Sequence, residues 1–118
     1  MIHFGKLFHS FGFAIQGIKQ AFVSQQNIKI HSFVAFVVVI AGFVFNISNM
    51  EWIAIVVCIA LVFAAEIFNT AIENIVDYIS LERHPIAGKI KDLAAAAVFV
   101  CAMMSVIVGC LIFLPKIF

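Results

Sequence analysis

The chain has 118 residues, 65% of them hydrophobic and 11% charged, with a mean hydropathy of +1.20. Soluble domains are about 45 to 50% apolar and about 25% charged, so this composition excludes an ordinary soluble protein, and the length allows one domain over residues 1–118. A net charge of +1 without any basic run argues against nucleic acid or another polyanion as partner.

From the N-terminus, Phe4, Leu7, Phe8, Phe11, Ile15, Ile18 and Phe22 recur at helical spacing, while His3, Lys6, Gln16, Lys19 and Gln20 lie mostly elsewhere on the wheel. The pattern predicts an amphipathic helix within residues 1–27 that lies in the membrane surface, packs on the bundle, or does both. The N-terminus has Lys6, but Gly5, His9, Ser10 and Gly12 interrupt its apolar stretch, so it does not read as a cleaved signal peptide. Residues 28–47, 51–76 and 93–114 follow as three segments long enough to cross a hydrocarbon core, which needs about 20 residues. Pro115 is expected to stop the third. The turn from Asn46 to Glu51 is short, and Ser80 to Asp92 is the only sizeable polar loop. The expected fold is an all-α membrane protein: a surface helix and three spans.

The second span ends in a polar stripe. At roughly 100° per residue, Glu66, Asn69, Thr70, Glu73 and Asp77 fall within about 100° of arc and stack over roughly 16 Å. Three of the six acidic residues are here. An acid at such depth costs roughly 2.5 to 3.5 kcal/mol on insertion scales and usually marks a function. Three helices enclose little space, so one copy alone is expected to leave this face looking at lipid, and a homo-oligomer is the natural remedy. Glu66 lies about two turns deeper than Glu73. The deeper acid suits a lipid head group, and the shallower one a water-soluble substrate or a metal. The alternative is a small oligomeric ion or proton channel whose cytoplasmic half is lined by acids. A pore needs polar residues along the whole span, yet Trp52 to Ala65 holds nothing polar but Cys58, which favours an interfacial active site.

Six of the seven basic residues flank one side: Lys6, Lys19 and Lys29 before the first span, and Arg83, Lys89 and Lys91 in the long loop. The positive-inside rule makes that side, with the N-terminus and the stripe, cytoplasmic. Lys116 alone lies outside. Cations facing carboxylates at one interface suit a metal-bound phosphate, although juxtamembrane lysines also serve simply to contact anionic lipid. Cys58, Cys101 and Cys110 sit in apolar runs without metal-ligand spacing and read as buried hydrophobes. Ala87-Gly88-Lys89-Ile90 lacks the upstream Gly and following Ser or Thr of a P-loop, and His84 has no second histidine nearby for zinc.

The run Glu66-Ile67-Phe68-Asn69-Thr70-Ala71-Ile72-Glu73-Asn74-Ile75-Val76-Asp77, then His84-Pro85 and Lys91-Asp92-Leu93-Ala94-Ala95-Ala96-Ala97-Val98, resembles the bacterial diacylglycerol kinase and undecaprenol kinase family. That family's pattern is E-x-x-N-[ST]-A-I-E-x-x-V-D, a polar loop, then K-D-x-x-[SA]-[AG]-A-V, and the agreement covers nearly the whole chain. The resemblance implies a homotrimeric enzyme of the bacterial inner membrane that moves the γ-phosphoryl group of ATP to a lipid alcohol, diacylglycerol or undecaprenol, with magnesium. It implies that Glu66 is the general base and that Asn69 supports it. Glu73 would bind metal and nucleotide, and Asp77, Glu82, His84, Lys91 and Asp92 would bind the nucleotide. Relatives commonly carry a second acidic metal ligand where this chain has Gln25, whose neutral carbonyl oxygen brings no charge. Ala96 stands where relatives often have Gly. Asn27-Ile28-Lys29-Ile30-His31 and His84-Pro85 look more like the undecaprenol kinase branch.

Overall fold

The computed structural model describes residues 1–79, 82 and 84–118. They form four helices, α1 (Phe4–Ser24), α2 (Gln26–Val44), α3 (Asn49–Ile79) and α4 (Pro85–Ile117). The last three are each long and apolar enough to cross a membrane, so the chain is an all-helical membrane protein.

The junctions follow from local chemistry. Gln25 alone separates α1 from α2: its backbone is extended (φ −116°, ψ 119°), while its N–H still bonds the Ala21 carbonyl at 3.0 Å. Between α2 and α3 the chain reverses through Asn46, whose φ of 52° is one that asparagine tolerates better than most residues. The Ile47 N–H bonds the Gly42 carbonyl at 3.1 Å and the Asn46 N–H bonds that of Phe43 at 3.3 Å, the two bonds of a Schellman motif. The next helix starts at once. Ser48 and Glu51 form a capping box, in which the Ser48 N–H donates to Glu51 Oε1 at 2.9 Å and the Glu51 N–H to Ser48 Oγ at 3.2 Å.

Two sequence expectations are corrected. The polar stretch before the last span is mostly helix, because His84 caps α4 by accepting the Ile86 N–H on Nδ1 at 3.2 Å, and Pro85 occupies the first turn, where its missing N–H has no intrahelical partner to lose. Ser80, Leu81 and Arg83 lie outside the described residues. Pro115 does not stop α4 either. The helix completes its last turn around it to Ile117, with the Phe118 N–H bonded to the Leu114 carbonyl at 3.0 Å and Lys116 Nζ 3.3 Å from the Ile112 carbonyl, a favourable place for a cation.

α3 and α4 pack along one another more extensively than any other pair of helices. At one end Lys116 Nζ meets Glu51 Oε2 at 2.8 Å and Phe45 meets Phe113 with ring centroids 5.9 Å apart. At the other, Lys91 Nζ meets Asp77 Oδ1 at 2.6 Å. The apolar core of Ile47, Ile55 and Ile112, with Trp52 and Val108 against it, sits near the first end. Helices of 31 and 33 residues run about 46 and 50 Å, whereas the hydrocarbon core is about 30 Å thick. The excess reaches past it at the Asp77 end, since α2, with 19 residues, returns to the first end in about 28 Å.

Candidate active site

The stripe lies where α1, α2 and α4 meet α3. Glu66 has 0% of its surface exposed, Asn69 6% and Thr70 7%. Glu73 is half-buried and Asp77 exposed, so burial falls steadily toward the protruding end of the helix. A single copy therefore covers the deep half of the stripe, which corrects the expectation that this face would look at lipid. The break at Gln25 makes this possible, because it lets α1 turn back over α3, where Phe22 stacks on Phe63 with ring centroids 6.1 Å apart.

Two carboxyl groups have separate partners. Glu73 accepts from the Gln25 amide (Nε2 to Oε2, 3.3 Å) and from the Asn69 amide one turn earlier (Nδ2 to Oε1, 3.2 Å). Glu66 faces His31 of α2, whose Nε2 lies 3.1 Å from its Oε1; the two are not aligned as a hydrogen bond, and neither Glu66 oxygen has a hydrogen-bond partner among the described residues. Thr70 does not help, since its hydroxyl donates to the Glu66 backbone carbonyl at 2.9 Å. Gly42 against Trp52, His31 against Glu66 and Gln25 against Glu73 step in opposite directions along α2 with its N-cap and along α3. One antiparallel register thus assembles the whole inner cluster.

The other residues singled out from sequence form an outer group. Asp77 pairs with Lys91 across the α3–α4 contact, with both side chains substantially exposed. Asp92 follows on α4, exposed, as are Glu82 and the capping residue His84. The structure thus brings Gln25 to Glu73 and Lys91 to Asp77, and separates both pairs from the deeper Glu66. His31 is the residue sequence reasoning missed as a site member, although an ionisable side chain inside an apolar span was itself a signal.

Beside His31 opens an apolar cavity of ≈ 500 Å³ between α2, α3 and α4, lined by Val34, Val62, Val106 and Phe113 among others. Its few polar side chains include His31 and Ser105, and the Ser105 hydroxyl already donates to the Cys101 carbonyl at 2.9 Å. The cavity suits a hydrocarbon chain. Near Glu73 the available donors are oxygens: its carboxylate, the Gln25 amide oxygen once that amide turns over, and the buried Asn69 Oδ1, which has no hydrogen-bond partner among the described residues. Hard oxygen donors fit magnesium, and so small a set fits the usual habit of that ion, which keeps waters and phosphate oxygens in its shell. No group of three or more His, Cys, Asp or Glu residues suited to a metal occurs among the described residues.

A membrane bundle with a buried carboxyl beside a histidine that lines an apolar cavity, and oxygen donors with a lysine toward the water, suits an enzyme of the interface acting on a lipid. A profile of the prokaryotic diacylglycerol kinase family matches residues 12–113. The chain is 43% identical to the undecaprenol kinase of Bacillus subtilis (strain 168) over 112 residues, covering 95% of this chain and 91% of that one. It is 33% identical to the diacylglycerol kinase of Haemophilus influenzae over 80% of each chain, and 25% identical to that of Escherichia coli (strain K12) over 92% of this chain and 89% of the other. The chain belongs to the prokaryotic diacylglycerol kinase family and is a lipid kinase.

Proposed function

We propose that the chain transfers the γ-phosphoryl group of ATP to the primary hydroxyl of a membrane lipid alcohol, with undecaprenol the first candidate and diacylglycerol the second. The order rests on the name of the 43% identical relative and on the apolar lining of the cavity, which offers few donors for the ester carbonyls of a diacylglycerol. The observation that carries the reading is Glu66: wholly buried, without a hydrogen-bond partner at either oxygen among the described residues, and next to His31, which lines the cavity. As a carboxylate it takes the hydroxyl proton. The lipid oxygen then forms a bond to the γ-phosphorus as the bond to the β,γ-bridging oxygen breaks, and ADP leaves with that electron pair. Asn69 holds Glu73 in place from one turn away. Glu73 and Gln25 would hold magnesium, which when bound neutralises phosphate charge. Asp77, Glu82, His84, Lys91 and Asp92 would receive the nucleotide where α3 and α4 stand clear of the hydrocarbon.

The setting belongs to the same proposal: a homotrimer in the bacterial inner membrane, with α1 as an amphipathic helix on the cytoplasmic surface. α1 supports it by leaving Phe4, Phe8 and Phe11, which share one face of the helix, well exposed in the single chain. The test is radiolabelled phosphate transfer from ATP by purified, detergent-solubilised protein offered undecaprenol and diacylglycerol side by side. Undecaprenol is expected to be the better acceptor, and labelling of neither lipid would reject the proposal. Glu66→Gln should lower turnover about 10²- to 10⁴-fold with nucleotide binding kept. Near-normal turnover would remove Glu66 as the base.

A further inference from the structure

Glu66 is surrounded by groups that could have held it and do not. The Asn69 amide is committed to Glu73, and the Thr70 hydroxyl to the Glu66 backbone carbonyl. What remains within reach is the His31 imidazole, 3.1 Å away, on a ring 25% exposed against 1% for the Glu66 side chain. His31 is itself well anchored. Ile28, one turn earlier on α2, is 0% exposed, and Ser32 ties back to the Ile28 carbonyl at 2.7 Å. The ring lines the apolar cavity, and its Nε2 lies 3.1 Å from the carboxyl without being aligned to it.

We propose that His31 is a positioning residue for Glu66: its Nε2–H holds one carboxyl oxygen, and thereby turns the other toward a lipid hydroxyl arriving from the cavity. The 3.1 Å separation is within hydrogen-bond reach, so forming the bond takes a change of ring or carboxyl orientation and no approach of the helices. An otherwise unpartnered carboxylate can rotate about its last torsion, and a base must meet its proton within about 2.6 to 3.2 Å. The inference rests on Glu66 being the base. It adds a function for a residue on a different helix, in the same register that brings Gln25 to Glu73.

Three variants separate positioning from packing. His31→Phe keeps a ring in the cavity wall and loses the donor, His31→Ala loses both, and His31→Gln places an amide N–H near the position of Nε2. His31→Phe and His31→Ala should each lower kcat roughly 10- to 100-fold, the loss expected for one hydrogen bond to a charged group, with KM for ATP changed less than about twofold. His31→Gln should recover most of that loss. A second readout needs no turnover: the infrared carboxyl band of Glu66, isolated by subtracting the Glu66→Gln spectrum, should shift in His31→Phe and return in His31→Gln. Near-normal kcat in His31→Phe, or an unmoved carboxyl band, would overturn the positioning role while leaving Glu66 as the base. If Glu66→Gln itself turns over normally, the base assignment fails and the role of His31 falls with it.

Discussion

Gln25 and Glu73 meet at 3.3 Å through an amide and a carboxylate, an attractive contact at a position where a second acid would create repulsion. Two carboxylates at that separation disfavour each other without a cation and share one when it is present. Gln25→Glu is therefore expected to lower the thermal midpoint in a chelator, to gain more than the parent protein on adding magnesium, and to reach half-maximal activity at lower magnesium. Thermal unfolding and activity, each titrated with magnesium at fixed ATP, measure this. Coincident curves for the two proteins would show that residue 25 is not a cation ligand. The acids of the stripe were legible from sequence because helical periodicity alone puts them on one face. His31 was not legible as their partner, since periodicity relates residues within a helix and says nothing of the register between two.

Between elements, the α2–α3 hairpin depends on close approach at Gly42. A Cβ there would lie 2.6 Å from Cη2 and 2.8 Å from Cζ2 of Trp52, and the same ring is tilted against Phe43 at 4.8 Å. Gly42→Ala should destabilise the fold by about 1 to 3 kcal/mol, the range for overpacking a closed contact. Trp52→Leu in the same chain should recover part of the loss, and thermal unfolding in detergent compares the two. A single variant as stable as the parent would mean that the helices separate freely at this end. The three spans were legible from hydropathy, but their limits were not. Hydropathy registers where a helix is apolar, whereas helix hydrogen bonding continues into polar sequence wherever caps allow, as from Pro85 onward. The cover over Glu66 was hidden too, because one extended residue at position 25 redirects a whole helix without any hydrophobic signal.

For the molecule as a whole, the protruding ends of α3 and α4 carry Lys89 and Lys91, and the opposite end carries Lys116 beside Glu51. On the bias of Lys and Arg, we propose that the protruding end lies in the cytoplasm. In intact cells, on a background without Cys58, Cys101 and Cys110, a cysteine at position 89 should resist an impermeant thiol reagent and one at 116 should react. Rapid labelling at 89 would invert the topology. The hairpin register has one more consequence, which concerns synthesis. Residues 25–31 leave the ribosome well before residues 66–73, so α2 can already be in the bilayer when the acidic half of α3 arrives. Inserted alone, that half would bring unpartnered carboxyl groups into hydrocarbon, at roughly 2.5 to 3.5 kcal/mol for each charge at the centre. Inserted against α2, it would meet His31 and Gln25 on entry, and the groups assigned to chemistry in the finished protein would then serve first as the receiving half of a membrane insertion unit.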